Sequence, residues 1–302
     1  LNIEGESEYS FSESFDKIEY KIDKKNDNYD FFTSINFDSN PIEIEPIGYS
    51  KKINKKSNLK LKGSYNKNKV KFNEIIYNEG SNFFKIKDLI LNNKFKILSL
   101  NKVNVDYLNT NNKKNEFDVK KDSIHYNLNG LSFDSHKLIA DILLSDSDKN
   151  FLDNFDFKDG TKFNINLKKV FLNEDIFSNN LFGELIIKNN KVHSLNLTSI
   201  FKNNKKFQLD VKTLKNKQKI TSFYSDNAEP FVKHYKFIKG FKEGKIDFYS
   251  VKENNVSNST LNIFDFKVKE MPALTKLLSL ASLQGIADLM TGEGIRFDEF
   301  EM

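Results

Sequence analysis

Four histidines, His125, His136, His193 and His234, are the side chains of this sequence best suited to proton transfer or metal ligation. Each stands alone, with no H-E-x-x-H and no paired metal-ligand spacing around it. Cysteine is absent, which removes disulfides, thiolate zinc sites and cysteine nucleophiles together. No G-x-S-x-G elbow, P-loop or dinucleotide fingerprint occurs. Glu43/Glu45 and Glu6/Glu8 sit two apart and would share a strand face, but among 42 acidic residues a solvated face accounts for them. Asn196-Leu197-Thr198, Asn255-Val256-Ser257 and Asn258-Ser259-Thr260 match the glycosylation acceptor pattern, as expected by chance where Asn is so common. No convergent catalytic set is present. The expectation is a protein that is not an enzyme and needs no metal or cofactor.

The elements behind these residues are strands. Phe163, Ile165 and Leu167 alternate with Asn164 and Asn166, and Phe207, Leu209 and Val211 alternate with Gln208 and Asp210. Leu195-Asn196-Leu197, Leu59-Lys60-Leu61-Lys62, Val70-Lys71-Phe72 and Val103-Asn104-Val105 repeat the pattern. Period two with β-branched and aromatic residues means strands with one apolar and one polar face. Asn- and Lys-rich punctuation, such as Asn66-Lys67-Asn68 and Asn189-Asn190-Lys191, marks turns. The 302 residues carry 4 prolines and 12 glycines and show no flexible linker. The formal charge of +5 is a mild, dispersed excess, unlike the concentrated basic surface of a nucleic-acid binder. Alternation alone leaves two architectures open, a long curved sheet forming a trough and a closed sandwich.

Two stretches break the alternation. Asp134, a suitable N-cap, precedes a short helix near 135–145. A longer helix is expected near 272–291, with Pro272 in its first turn and Gly292 as its stop. Its Leu274, Leu277, Leu278, Leu280, Leu283, Ile286 and Leu289 make it apolar nearly all round, so it must be buried or meet lipid. It would plug the end or groove of the sheet, or dock on a partner. The sequence begins at Leu1, shows no signal peptide, and ends in what reads as an interrupted strand. We read it as a piece of a longer protein.

The segment from Pro272 to Leu289, followed by Gly292-Glu293-Gly294-Ile295-Arg296-Phe297, closely resembles the C-terminal region of the YhdP-like branch of the AsmA family of Gram-negative bacteria. Gly130-Leu131-Ser132-Phe133-Asp134 resembles that family's G-x-S-x-D entry, and Phe163 to Val170 its following strand. Ser225-Asp226-Asn227-Ala228 resembles its S-x-D-A-G turn, although Glu229-Pro230 follow where a glycine is expected. Gly240 to Ile246 resembles its glycine-containing hairpin, and Leu261 to Val268 the strand before the long helix. The resemblance divides the chain into a β-groove segment, 1–129, and an AsmA-like C-terminal region, 130–302.

The resemblance implies a mostly β protein whose long curved antiparallel sheet forms an apolar groove, as in repeating-β-groove lipid-transfer proteins. It implies a periplasmic body anchored to the inner membrane through a segment absent from this chain. The implied function is a non-enzymatic conduit assisting phospholipid transport between the inner and outer membranes and outer-membrane integrity. Phospholipid acyl chains are the expected partners, with protein partners at the ends and no nucleic acid. The expected groove floor is Phe163, Ile165, Leu167, Leu195, Leu197, Phe207, Leu209, Val211, Ile246, Phe248, Leu261 and Ile263, with the 272–291 helix as cap or docking element. The rival reading is a periplasmic scaffold or assembly protein acting through protein–protein contacts at a sheet edge.

Overall fold

The computed structural model describes residues 1–10, 14–135, 151–172, 176–235, 240–254, 256–269 and 294–302. The expected helix near 135–145 falls almost wholly outside the described residues, and that near 272–291, with its seven named leucines and isoleucine, wholly so. Strand accounts for 71% of the chain. The backbone forms two compact units, residues 1–177 with 185–192 and residues 178–184 with 193–302. Residues 129 and 130, where the sequence reading divides the chain, lie in one strand, His125–Asp134.

The first unit contains β1 (Asn2–Tyr9), β2 (Asp16–Lys25), β3 (Asn28–Asn36), β4 (Ile42–Ile44), β5 (Tyr49–Lys51), β6 (Asn58–Asn66) and β7 (Lys69–Glu79). It continues with β8 (Asn82–Asn92), β9 (Ile97–Ser99), β10 (Lys102–Leu108), β11 (Lys114–Asp122), β12 (His125–Asp134) and β13 (Thr161–Phe171). Strands β14 (Phe177–Lys188) and β15 (Lys191–Ile200) each contribute residues to both units. The second unit adds β16 (Lys206–Thr213), β17 (Lys219–Ser225), helix α1 (Glu229–Tyr235), β18 (Phe241–Glu253), β19 (Val256–Val268) and β20 (Ile295–Glu301).

In the first unit the ladder runs β1–β2–β3–β6–β7–β8–β10–β11–β12–β13. Every pair is antiparallel except β12–β13, which is parallel. The expected all-antiparallel order fails there, since a parallel pair of successive strands needs a crossover rather than a hairpin between them. In the second unit β15 to β20 pair consecutively and antiparallel. Between β14 and β15, Asn189 and Asn190 both take positive φ, as a two-residue turn of the primed type needs. The Asn66 side chain accepts from the N–H groups of Asn68 and Lys69, closing the β6–β7 turn.

Register carries the alternation across strands, because directly paired residues share a face. In the first unit one row reads Ile18, Ile35, Leu59, Tyr77, Phe84, Val105, Phe117, Gly130, Leu167. The next row on the same face reads Tyr20, Thr33, Leu61, Ile75, Ile86, Val103, Val119, Leu128, Ile165. Bulges interrupt the ladder at Lys62/Gly63 and Glu116/Phe117. A glycine sits at each, Gly63 within the first and Gly130 paired with Phe117 at the second: a Cβ on Gly130 would lie 2.5 Å from Phe117 Cβ and 2.8 Å from Leu167 Cδ2. The bulge tightens the local twist and draws those side chains over the bare backbone. Gly130→Val should therefore lower unfolding free energy by about 1–3 kcal/mol through overpacking, read as a reduced urea midpoint; an unchanged midpoint would show that the close approach is not needed.

Candidate functional site

The feature that stands out is the continuous apolar face of each unit. In the first unit two insertions lay aromatic side chains along its margins. Between β3 and β6, β4 and β5 pair as a small flap that brings Tyr49 onto the sheet. The Tyr49 ring lies 5.9 Å from Tyr77, 4.9 Å from Phe84 and 5.7 Å from Tyr107, centroid to centroid. Between β12 and β13, Phe157 packs 5.6 Å from Tyr126 and 5.5 Å from Phe163, while Phe163 stacks on Tyr126 at 4.8 Å. The row between these margins, from Tyr20 to Ile165, is different: every one of its residues is partly exposed.

The flap is held by buried polar groups. The Tyr49 hydroxyl donates to Glu79 Oε2 at 2.8 Å and lies 2.9 Å from the Tyr77 hydroxyl, and Tyr107 donates to the Ile47 carbonyl. Burial, reinforced by the Tyr77 and Glu79 contacts, pushes the Tyr49 phenol far above its ordinary range. At the flap's base Lys51, 1% exposed, donates to the carbonyls of Asn40 (2.8 Å) and Lys52 (3.1 Å). Burial pulls the Lys51 ammonium down, opposed by the charges of Asp16, Asp38 and Glu79. Asp16 accepts from the backbone N–H groups of Ser39 and Asn40 and from the Asn40 amide. Burial alone would raise its carboxyl, but those hydrogen bonds together outweigh it and hold the group below the usual carboxylate range.

In the second unit nine of the expected floor residues fall on one face. Leu195 pairs with Val211 and Leu197 with Leu209. Ile246 pairs with Ile263 and Phe248 with Leu261, while Phe207 joins the Ile246 row through Ser225. Phe207, Ile246 and Ile263 are buried, and α1 covers part of this row: Phe231 lies 5.7 Å from Phe207 and 4.6 Å from Phe223. Leu197, Leu209, Phe248 and Leu261 form a row that stays partly exposed. The other three, Phe163, Ile165 and Leu167, belong to the first unit's face: Phe163 beneath the Phe157 margin, Ile165 in the central row, Leu167 buried.

Sequence reasoning missed most of the first unit's face. Leu61, Ile75, Ile86, Val103, Val119 and Leu128 carry the same alternation and could have been added from it. The flap had no such signal, and neither did α1, which begins where Pro230 occupies the first turn. Among the described residues no group of three or more His, Asp and Glu could hold a metal ion. No helix among them is long and apolar enough to cross a membrane. No protein-family model, curated protein or solved structure matches the chain.

Because the Asp16 carboxyl is depressed in the folded state, its stabilisation is present above the unfolded carboxylate value of about 4 and is lost as pH falls through the folded value. Asp16→Asn should cost about 1.5–3 kcal/mol near neutrality and should flatten the acid limb of stability. Urea titrations at several pH values check this, and an acid limb equally steep in the variant would assign the loss to other carboxylates.

Proposed function

We propose that this chain is a lipid-holding segment in which each unit's apolar sheet face serves as a groove for phospholipid acyl chains. The carrying observation is the partly exposed central row of the first unit, from Tyr20 to Ile165. A closed sandwich buries such a row against a second sheet, whereas a trough leaves it free for a guest. Aromatic margins on either side, at Tyr49 and Phe157, supply walls, and acyl chains seated between them gain about 0.8 kcal/mol per buried CH₂. Head groups ride at the open, wet edge, and the passage of lipid needs no nucleophile, metal or cofactor. The residues resembling the YhdP-like branch of the AsmA family support the wider reading: a non-enzymatic periplasmic conduit, tethered to the inner membrane, that assists phospholipid movement toward the outer membrane.

A second reading, a scaffold that pairs strand to strand with another β-protein, is favoured by the sheet edges. Among the described residues β1 pairs only with β2, and β20 only with β19. An open edge offers unpaired backbone donors and acceptors to an added strand.

The purified chain should yield phospholipid in organic extracts, quantified by mass spectrometry against protein. Ile165→Glu and Leu209→Glu place a carboxylate on partly exposed apolar rows and should abolish lipid recovery while circular dichroism stays that of a folded β protein. Lipid retained by both variants sinks the groove reading. A folded wild-type chain that carries no lipid, but co-purifies with one stoichiometric partner, shifts the assignment to the scaffold.

A further inference from the structure

The polar face of the first unit carries a separate site, independent of the lipid reading because it lies on the other side of the sheet. A depression of about 460 Å³ opens across β10 to β13, within the size range of small-molecule sites. Its base is a single cross-strand row: Asn104 pairs with Asp118, Asp118 with Asn129, and Asn129 with Asn166. Phe83 and Leu131 also line it and give it apolar surface. Asp118 Oδ2 is buried without a hydrogen-bond partner, with the Lys120 ammonium 3.8 Å away. The amides of Asn104, Asn129 and Asn166 form no hydrogen bond to another side chain or backbone group among the described residues.

We infer that this row binds a neutral saccharide. The three carboxylates of the depression, Asp106, Glu116 and Asp118, are balanced locally by Lys114 on Asp106, Lys120 beside Asp118, and Lys168 in the lining. That balance selects against a strongly charged ligand. Amides both donate and accept while the carboxylate accepts, which matches hydroxyl groups that do both. Phe83 and Leu131 offer the apolar contact that the C–H face of a sugar ring requires. Adjacent strands are about 4.8 Å apart, so the row from Asn104 to Asn166 spans about 14 Å, which suits a disaccharide rather than a single ring. Hydrogen bonds to the polar row fix the hydroxyls, and the apolar contacts fix which ring face is presented.

Saturation-transfer NMR and calorimetry on the full chain, with maltose, cellobiose and diacetylchitobiose as probes, test this. At least one probe should bind with a dissociation constant in the millimolar range. The double substitution Asn129→Ala/Asn166→Ala, at two exposed positions, should weaken it at least about tenfold with an unchanged circular dichroism spectrum. Asp118→Asn should also weaken it, whereas Ile165→Glu on the apolar face should leave it intact. Absence of transfer from all three probes at millimolar concentrations overturns the inference, as does unchanged affinity in the folded double variant.

Discussion

Strand register is the constraint on which both units depend. A ladder hydrogen bond fixes more than the pairing of two backbones: it fixes which side chains stand together on each face, since side chains alternate with a period of two. A slip of β8 by one residue against β7 would move Phe84 and Ile86 to the polar face and set Lys85 and Lys87 beside Ile75 and Tyr77 on the apolar one. The bulges at Lys62/Gly63 and Glu116/Phe117 are the places where the count changes, and glycines at those points keep the rows continuous. Three rows of the second unit obey the same rule without a break from β15 to β18.

The separation of faces divides the chemistry. Apolar rows end at margins where phenols take over, because an aromatic ring can bury its body against the sheet while its hydroxyl reaches a polar partner. Tyr49, Tyr77 and Tyr107 do this beside Glu79 and the Ile47 carbonyl. On the opposite face the cross-strand neighbours are amides and charges, among them the Lys85–Glu74 pair at 2.6 Å and the Asn164–Asn127 pair at 2.8 Å. Exposed ion pairs of this sort add little stability. Their effect is on specificity, since they make the apolar face the one that must find cover or a guest.

The insertion from 37 to 57 shows how a short excursion is made rigid without a large core of its own. Asp16 takes the N–H groups of its first turn, Asp38 takes that of Ser57 at its close, and Lys51 fills the carbonyls between. Each buried charge is surrounded by hydrogen-bond partners, the condition under which burial of a charge is tolerated. With its base so fixed, the flap can hold Tyr49 against three other rings.

Alternation in segments such as 163–167 and 207–211 is enough to read strands and the Asn-rich turns between them, because these are local consequences of a two-residue period; that Leu195, Leu209, Ile246 and Ile263 share a face depends on cross-strand register. The same alternation in 59–61 and 103–105 was legible as strand but not as part of one face with Ile165, since joining them requires the register of six intervening ladders. Tertiary structure alone decided that β12 and β13 run parallel, that Tyr49 and Phe157 flank the first unit's apolar face, and that its central row is left partly exposed. Those outcomes depend on which distant segments meet, and a period of two specifies the face a residue takes but not what comes to lie upon it.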